Sequence, residues 1–288
     1  MTDQLKIIEC PRDAMQGIEP LIATSEKVRL LESMLRVGFP VIDFGSFVSP
    51  KAVPQMADTA AVLDRLTPNG TKLLAIIANR RGAEIAVAKN KVAVLGYPLS
   101  ISETFQQRNS NKTIVASLEE LVGIIDLADK NGKELVVYLS MAFGNPYGDP
   151  YSIEIAAQFA GVLSSLGVAT IAISDTVGLA TPKQVDELYS TLSREYPGIE
   201  WGIHLHASPD DTEKKIKAAL LAGCRRIDGA ILGFGGCPMA EDKLIGNINT
   251  RAIITIAEEL GLSHDLDLER FTEAEKIAGE VFNPVKRD

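Results

Sequence analysis

The 288-residue chain is poor in cysteine, in histidine and in positive charge, and each shortage removes a class of protein. Its three cysteines, Cys10, Cys224 and Cys237, show no paired spacing, which argues against a disulfide framework and suits a reducing compartment. Lysine and arginine number 29 against 38 aspartates and glutamates, so the net charge of −9 lacks the basic footprint of non-specific nucleic-acid binding. An anionic substrate stays open, because a site needs only local positive charge. No apolar run approaches bilayer length, and the opening Met1-Thr2-Asp3-Gln4-Leu5-Lys6 has neither the basic start nor the apolar stretch of a leader. The expectation is a cytoplasmic protein with no nucleic-acid and no membrane partner. No low-complexity linker divides the chain, and no Gly-x-Gly-x-x-Gly follows the first apolar run, which weakens a dinucleotide-binding reading.

What the chain does have is alternation. Short, nearly continuous apolar runs occur at 6–10, 41–45, 72–77, 91–96, 134–139, 170–174, 202–206 and 225–231, as in buried parallel strands. Amphipathic stretches lie between them, among them 25–37, 117–128, 211–222 and 250–260. Thr181-Pro182-Lys183-Gln184 reads as a helix start, with Thr181 as cap, Pro182 in the first turn and Gln184 closing a capping box. Gly223 suits a helix stop. This alternation predicts the α/β class and a (β/α)₈ TIM barrel, with a doubly wound open sheet as the rival. One catalytic domain is expected over 1–288: a barrel over about 5–261 and a short C-terminal helical extension over about 262–288. His264, between Ser263 and Asp265, is expected to be an exposed cap residue.

In such a barrel the chemistry sits where strands end. Gly202-Ile203-His204-Leu205-His206 holds two of the three histidines. Alternation along a strand sends both imidazoles to one face, within reach of one metal ion, while the bland reading pairs each with a polar neighbour. The first run ends in Arg12-Asp13, either a structural ion pair or part of a site. Asp43 interrupts an otherwise apolar run and needs a partner if buried. Asp175-Thr176 closes the sixth run, and a glycine-rich loop, Gly233-Phe234-Gly235-Gly236-Cys237-Pro238, follows the eighth, with Asn247 beyond it. Asp13, His204, His206 and Asn247 together offer two oxygens and two nitrogens, a mixed set suited to Mg²⁺ or Mn²⁺ completed by water or substrate. Read alone, Cys237 is a reactive group on a closing loop or, more simply, a small hydrophobe at a turn.

These stretches resemble the 3-hydroxy-3-methylglutaryl-CoA lyase family, within the metal-dependent TIM-barrel lyases and synthases. The resemblance rests on Pro11-Arg12-Asp13, Ser46-Phe47-Val48-Ser49-Pro50-Lys51 with Val53-Pro54-Gln55-Met56, and Ser102-Glu103-Thr104-Phe105 with Asn109. It continues through Phe143-Gly144-Asn145-Pro146-Tyr147, Ser174-Asp175-Thr176-Val177-Gly178, His204-Leu205-His206 and Gly235-Gly236-Cys237-Pro238. It implies a carbon–carbon lyase that cleaves 3-hydroxy-3-methylglutaryl-CoA, or a close 3-hydroxyacyl-CoA, to acetyl-CoA and acetoacetate, with roles in leucine catabolism and ketone-body formation. It implies Asp13, His204, His206 and Asn247 as ligands of Mg²⁺ or Mn²⁺. It implies Arg12, Asp13, Asp43, His204 and Cys237 as catalytic residues, Arg12 steadying the thioester enolate oxygen and Cys237 serving as the loop thiol. Gln16, Ser46, Asp175 and Thr176 are the implied substrate-binding residues, an acyl-CoA thioester the implied partner, and a homodimer the implied assembly.

The chain departs from the family pattern at three places. Ala207 follows His206 where the family has aspartate, Ala14 follows Asp13 where it has glycine, and Gln16-Gly17-Ile18-Glu19 stands where a basic residue is usual. The alternatives are therefore a related aldolase or Claisen-type synthase acting on a 2-oxo acid, or a barrel that binds without turnover.

Overall fold

The computed structural model describes residues 4–235 and 245–283. Eight parallel strands close into a barrel in sequence order, with β8 returning to β1. They are β1 (Lys6–Glu9), β2 (Val41–Ser46), β3 (Lys72–Ile76), β4 (Val92–Ser100), β5 (Glu134–Ser140), β6 (Thr170–Asp175), β7 (Glu200–Leu205) and β8 (Arg226–Gly229). The (β/α)₈ expectation holds, and the open-sheet rival falls on the β1–β8 register, which pairs Lys6 with Arg226 and Glu9 with Gly229. Closure removes both free edges, so every strand has two neighbours for its ladder.

The helices follow in order: α1 (Pro11–Met15), α2 (Thr24–Leu35), α3 (Thr59–Arg65), α4 (Arg80–Val87), α5 (Glu103–Ser110), α6 (Ile114–Lys130) and α7 (Ile153–Ser165). Then come α8 (Pro182–Glu195), α9 (Pro209–Leu221), α10 (Thr250–Glu259) and α11 (Leu268–Phe282). The capping box at α8 forms as read, with the Gln184 amide N–H donating to Thr181 Oγ1 at 3.2 Å and the Thr181 amide N–H to Gln184 Oε1 at 3.0 Å. Gly223 ends α9 with φ of +96°.

The larger core lies between sheet and helices, because each strand turns one set of alternate side chains outward. A smaller cluster of Leu74, Val94, Val136, Tyr138 and Ala172 fills the barrel interior. The extension folds as α11, whose Phe271 packs edge-on to Phe39 at 6.2 Å, while Arg29 of α2 pairs with Glu280 at 2.8 Å. His264 is a correction: it is half-buried rather than exposed, its Nδ1 accepting from the Leu266 amide at 3.3 Å. Cys10 and Cys224 are free and buried, as their placement in core elements predicts. Among the described residues no helix is long and apolar enough to cross a membrane.

Candidate active site at the barrel mouth

A cavity of about 140 Å³ opens at the C-terminal ends of the strands. Arg12, Asp13, Gln16, Ser46, Thr176, His204 and His206 are among its polar lining residues, and Val53, Ile76, Pro98 and Phe105 among its apolar ones. Of the residues that sequence reading nominated, seven therefore meet at one mouth.

Pro11 starts the short helix α1 directly after β1, so Arg12 and Asp13 leave the same helical turn, and both line the cavity. Arg12 spans the group. Its Nε and Nη2 donate to Asp43 Oδ2 at 2.9 and 2.6 Å, its Nη1 to Asp13 Oδ1 at 2.8 Å, and Nη1 also to Gln16 Oε1. Burial works against the guanidinium charge, but Asp43 and Asp13 more than offset it and raise the Arg12 pKa. Asp43 is 1% exposed and does not line the cavity. Both Arg12 bonds fall on Oδ2, and Oδ1 has no hydrogen-bond partner among the described residues. Burial pushes the Asp43 carboxyl up to about 6 against the pull of Arg12.

Ligand atoms of Asp13, His204 and His206 lie within 4.8 Å of one another. Burial opposes the Asp13 charge, but Arg12, the two imidazoles and Asn247 outweigh it and hold the carboxyl at about 2. Burial and the neighbouring His204 push His206 down to about 4, so it stays neutral near pH 7, and its buried Nδ1 has no hydrogen-bond partner among the described residues. His204 sets Nδ1 against Asp228 Oδ2 at 3.2 Å, which leaves Nε2 on the far side of the ring. Burial works against an imidazolium there, yet Asp228 more than compensates and raises the pKa. An ionised carboxylate, a neutral imidazole and an imidazole oriented by a carboxylate form a donor set that fits a divalent cation.

Asn247 joins the cluster through the His206–Asn247 bridge, but it presents Nδ2, which donates to Asp13 Oδ2 at 2.8 Å and to Phe234 O at 2.9 Å. Serving as a ligand requires the amide to turn and offer Oδ1. Gly235 explains why this loop needs glycine: a Cβ there would lie 2.3 Å from Asp13 O and 2.8 Å from Asn247 Nδ2. Cys237 lies outside the described residues.

Ser46 lines the cavity while its Oγ accepts from the Val48 amide at 3.1 Å. Thr176 also lines it, and its Oγ1 accepts from the Met141 amide at 2.9 Å. Asp175 is absent from the lining, and its carboxylate accepts from Lys215 Nζ at 2.7 Å and from the Ala180 amide. Burial raises the Asp175 pKa against the opposing pull of Lys215. Of the departures, Glu19 is exposed and absent from the lining, whereas Ala14 and Ala207 are buried.

Sequence reading missed Asp228, Lys215 and Tyr138. Asp228 carried the same signal as Asp43, a single acid within an apolar strand. It also receives Arg226 Nη1 at 3.2 Å, so β8 supplies a charged pair beneath His204. A second triplet, Cys10, His204 and Asp228, also brings ligand atoms within 4.8 Å. Burial and the charges of Asp228 and Asp43 raise the Cys10 pKa and disfavour its free thiolate. Tyr138 meets the His204 ring edge-on at 5.8 Å.

The HMGL-like family matches residues 4–278. The mitochondrial hydroxymethylglutaryl-CoA lyase of Mus musculus is 32% identical, across 97% of this chain and 86% of its own length. The cytoplasmic 3-hydroxy-3-methylglutaryl-CoA lyase of Danio rerio is also 32% identical, across 97% and 83%. Among solved structures, the HMG-CoA lyase of Brucella melitensis superposes with a TM-score of 0.90 at 28% identity, covering 97% of this chain and 99% of that one. An HMG-CoA lyase of Acinetobacter baumannii, in complex with coenzyme A and 3-methylmalate, has the same score and identity over 98% and 92%. With a family match over residues 4–278 and relatives 32% identical across 97% of its length, the chain belongs to the HMGL-like family.

Proposed function

We propose that the protein is a divalent-cation-dependent carbon–carbon lyase that cleaves 3-hydroxy-3-methylglutaryl-CoA, or a close 3-hydroxyacyl-CoA, to acetyl-CoA and acetoacetate. The observation that carries this reading is the convergence of Asp13, His204 and His206 at one mouth with Arg12 beside them. Membership of a family whose matched relatives are hydroxymethylglutaryl-CoA lyases supports it, as does the coenzyme A bound to one of them.

In this reading Asp13, His204, His206 and Asn247 would hold Mg²⁺ or Mn²⁺. When bound, such a cation lowers the cost of ionising a coordinated hydroxyl. His204 has one ring nitrogen left after Asp228 takes Nδ1, and ligation uses it. The hydroxyl proton would pass to solvent water at the open mouth as the bond between the carbinol carbon and the carbon next to the thioester breaks, the carbinol oxygen closing to the ketone of acetoacetate and the electron pair of the broken bond passing to a thioester enolate. Arg12, aimed by Asp43, stabilises that oxyanion; one such donor contributes about 3–4 kcal/mol in a preorganised site. Protonation of the enolate carbon then yields acetyl-CoA. Cys237 is the proton donor we assign by resemblance. Gln16, Ser46 and Thr176 orient the acyl portion, and the apolar wall of Val53, Ile76 and Phe105 excludes water from it.

The same reading takes residues 1–288 as one catalytic domain, supported by the packing of α11 on α2. It places the protein in the cytoplasm as a homodimer, and its relatives carry both mitochondrial and cytoplasmic names. The test is a mass-resolved screen of 3-hydroxyacyl-CoAs with and without Mn²⁺. Release of acetyl-CoA that stops on chelation is the expected outcome. Acetyl-CoA consumption with a 2-oxo acid would instead identify a synthase, and tight Mn²⁺ binding without turnover would identify a binding barrel.

A further inference from the structure

Lys215 projects from α9 into the wall of the barrel mouth and is 2% exposed. A buried ammonium is costly unless every proton finds an acceptor. Here all three do. Nζ donates to Asp175 Oδ2 at 2.7 Å, to Gly178 O at 3.0 Å and to His206 O at 2.9 Å. Those acceptors belong to the end of β6, the turn that follows it, and the residue just after β7. One side chain on an outer helix therefore joins two adjacent strand ends.

Both ends carry groups of the site. His206 offers a ligand atom to the Asp13 cluster, and Thr176, next to Asp175, lines the cavity. The residue after His206 is Ala207, whose methyl group can hold nothing by hydrogen bonding. Asp175 is fixed in turn, both carboxylate oxygens accepting from the Ala180 amide at 3.1 and 3.2 Å. Gly178 must come close: its φ is +72°, and a Cβ there would lie 2.9 Å from Ile245 Cδ1, in the segment that leads to Asn247. The Lys215 ammonium thus touches the backbone of His206 and of the turn against which the Asn247 segment packs.

We propose that Lys215 is a positioning residue for the cation site: its ammonium, anchored by Asp175, sets where the His206 main chain stands and so where that imidazole meets Asp13. Lys215 touches neither substrate nor cation, and its action passes through His206. The proposal rests on the cation-dependent lyase reading above, and it adds that part of the cation affinity resides in an ion pair on the far side of the strand from the site.

The test measures Mn²⁺ binding to metal-free protein by calorimetry, with steady-state kinetics alongside. Removing the lysine alone strands a buried carboxylate and endangers folding, so the main variant is the double substitution Lys215→Met with Asp175→Asn, which removes both charges and keeps an acceptor for Ala180. The expected result is a folded protein whose Mn²⁺ dissociation constant rises about 10- to 100-fold. Its kcat falls by a similar factor, and its KM for the CoA thioester stays within about threefold. A folded double variant with wild-type Mn²⁺ affinity overturns the proposal, since a merely structural pair would lower Tm and leave the cation alone. Asp175→Asn, which leaves all three Lys215 acceptors in place, asks the same question if the double variant does not fold. It is expected to weaken Mn²⁺ about threefold to tenfold, and a lower Tm with unchanged affinity counts against the proposal. Wild-type protein that binds no divalent cation would sink the lyase reading itself. Wild-type protein that binds Mn²⁺ beside a variant that binds it equally well would sink only the role of Lys215.

Discussion

The two ends of the barrel use the same charged side chains to different ends. At the floor, Lys6 of β1 pairs with Glu200 of β7 and Lys72 of β3 with Glu134 of β5, each reaching past one intervening strand in the open, with side chains 40–58% exposed. At the mouth, Arg12 joins Asp13 and Asp43, His204 faces Asp228, and Lys215 holds Asp175, with side chains at most 13% exposed. Water screens the first set to little net value, so it serves solubility and strand spacing. The second set gives up hydration, which only full hydrogen bonding and the needs of a site can offset. Exposure, not residue type, separates decoration from machinery here.

The contrast can be broken most directly at Asp13. Asp13→Asn removes the charged oxygen of the cluster, and the expected outcome is loss of measurable Mn²⁺ binding with kcat/KM down on the order of 10³-fold or more, from the several kcal/mol that a bound cation supplies. A smaller effect is expected one layer deeper. Asp228→Asn takes away the carboxylate that orients His204, and Mn²⁺ affinity should fall about 10- to 100-fold while the fold persists. Unchanged affinity in a folded Asp228→Asn protein would show that His204 is oriented by something else.

Glu9 sharpens the comparison on the stability side. It is fully buried at the end of β1, accepting from the Ile231 amide at 2.7 Å and from Thr250 Oγ1 at 2.6 Å. Burial pushes its carboxyl up to about 8, above the 4.5 of an unfolded glutamate. The folded state therefore holds a proton that the unfolded state gives up between those values. Stability from this group is complete below pH 4.5 and is lost as pH rises toward 8. Glu9→Gln should flatten the fall in Tm between pH 5 and pH 8, roughly that same window, and a wild-type slope retained in the variant would assign the fall elsewhere. The smallest effect belongs to the floor. Lys72→Ala should leave kcat unchanged and move Tm by about 2 °C or less, and a large loss of activity would erase the distinction between the two ends.

The fold was legible because its signal is repetitive. Eight apolar runs at near-regular intervals can be counted, and each is long enough to tolerate an error of two residues at its ends. The site was legible where one residue type is rare: two of three histidines at the end of one strand, and one arginine beside one aspartate after another. The direction of Asp175 was not legible, because a polar residue at a strand end can turn inward to the cavity or outward to a helix; here Asp175 meets Lys215 and its neighbour Thr176 lines the cavity. Lys215 gave no warning at all. In the sequence it is one lysine of an amphipathic helix that also carries Lys214 and Lys217, both of which lie in exposed ion pairs.

The order of residues alone determined that strands and helices alternate eight times, and that acids, imidazoles and a guanidinium stand where strands run out, because period and hydropathy are properties of a chain read one window at a time. Only the closed barrel decided which of those groups share a space. Closure brings β8 back to β1, so Asp13 comes within bonding reach of Asn247, 234 positions further on. It also brought helix α9 against two strand ends, so that one lysine out of three was buried and given a charge to hold. Partners separated by that much chain leave no local pattern, and burial, which sets the worth of every charge in the protein, exists only once the layers have packed.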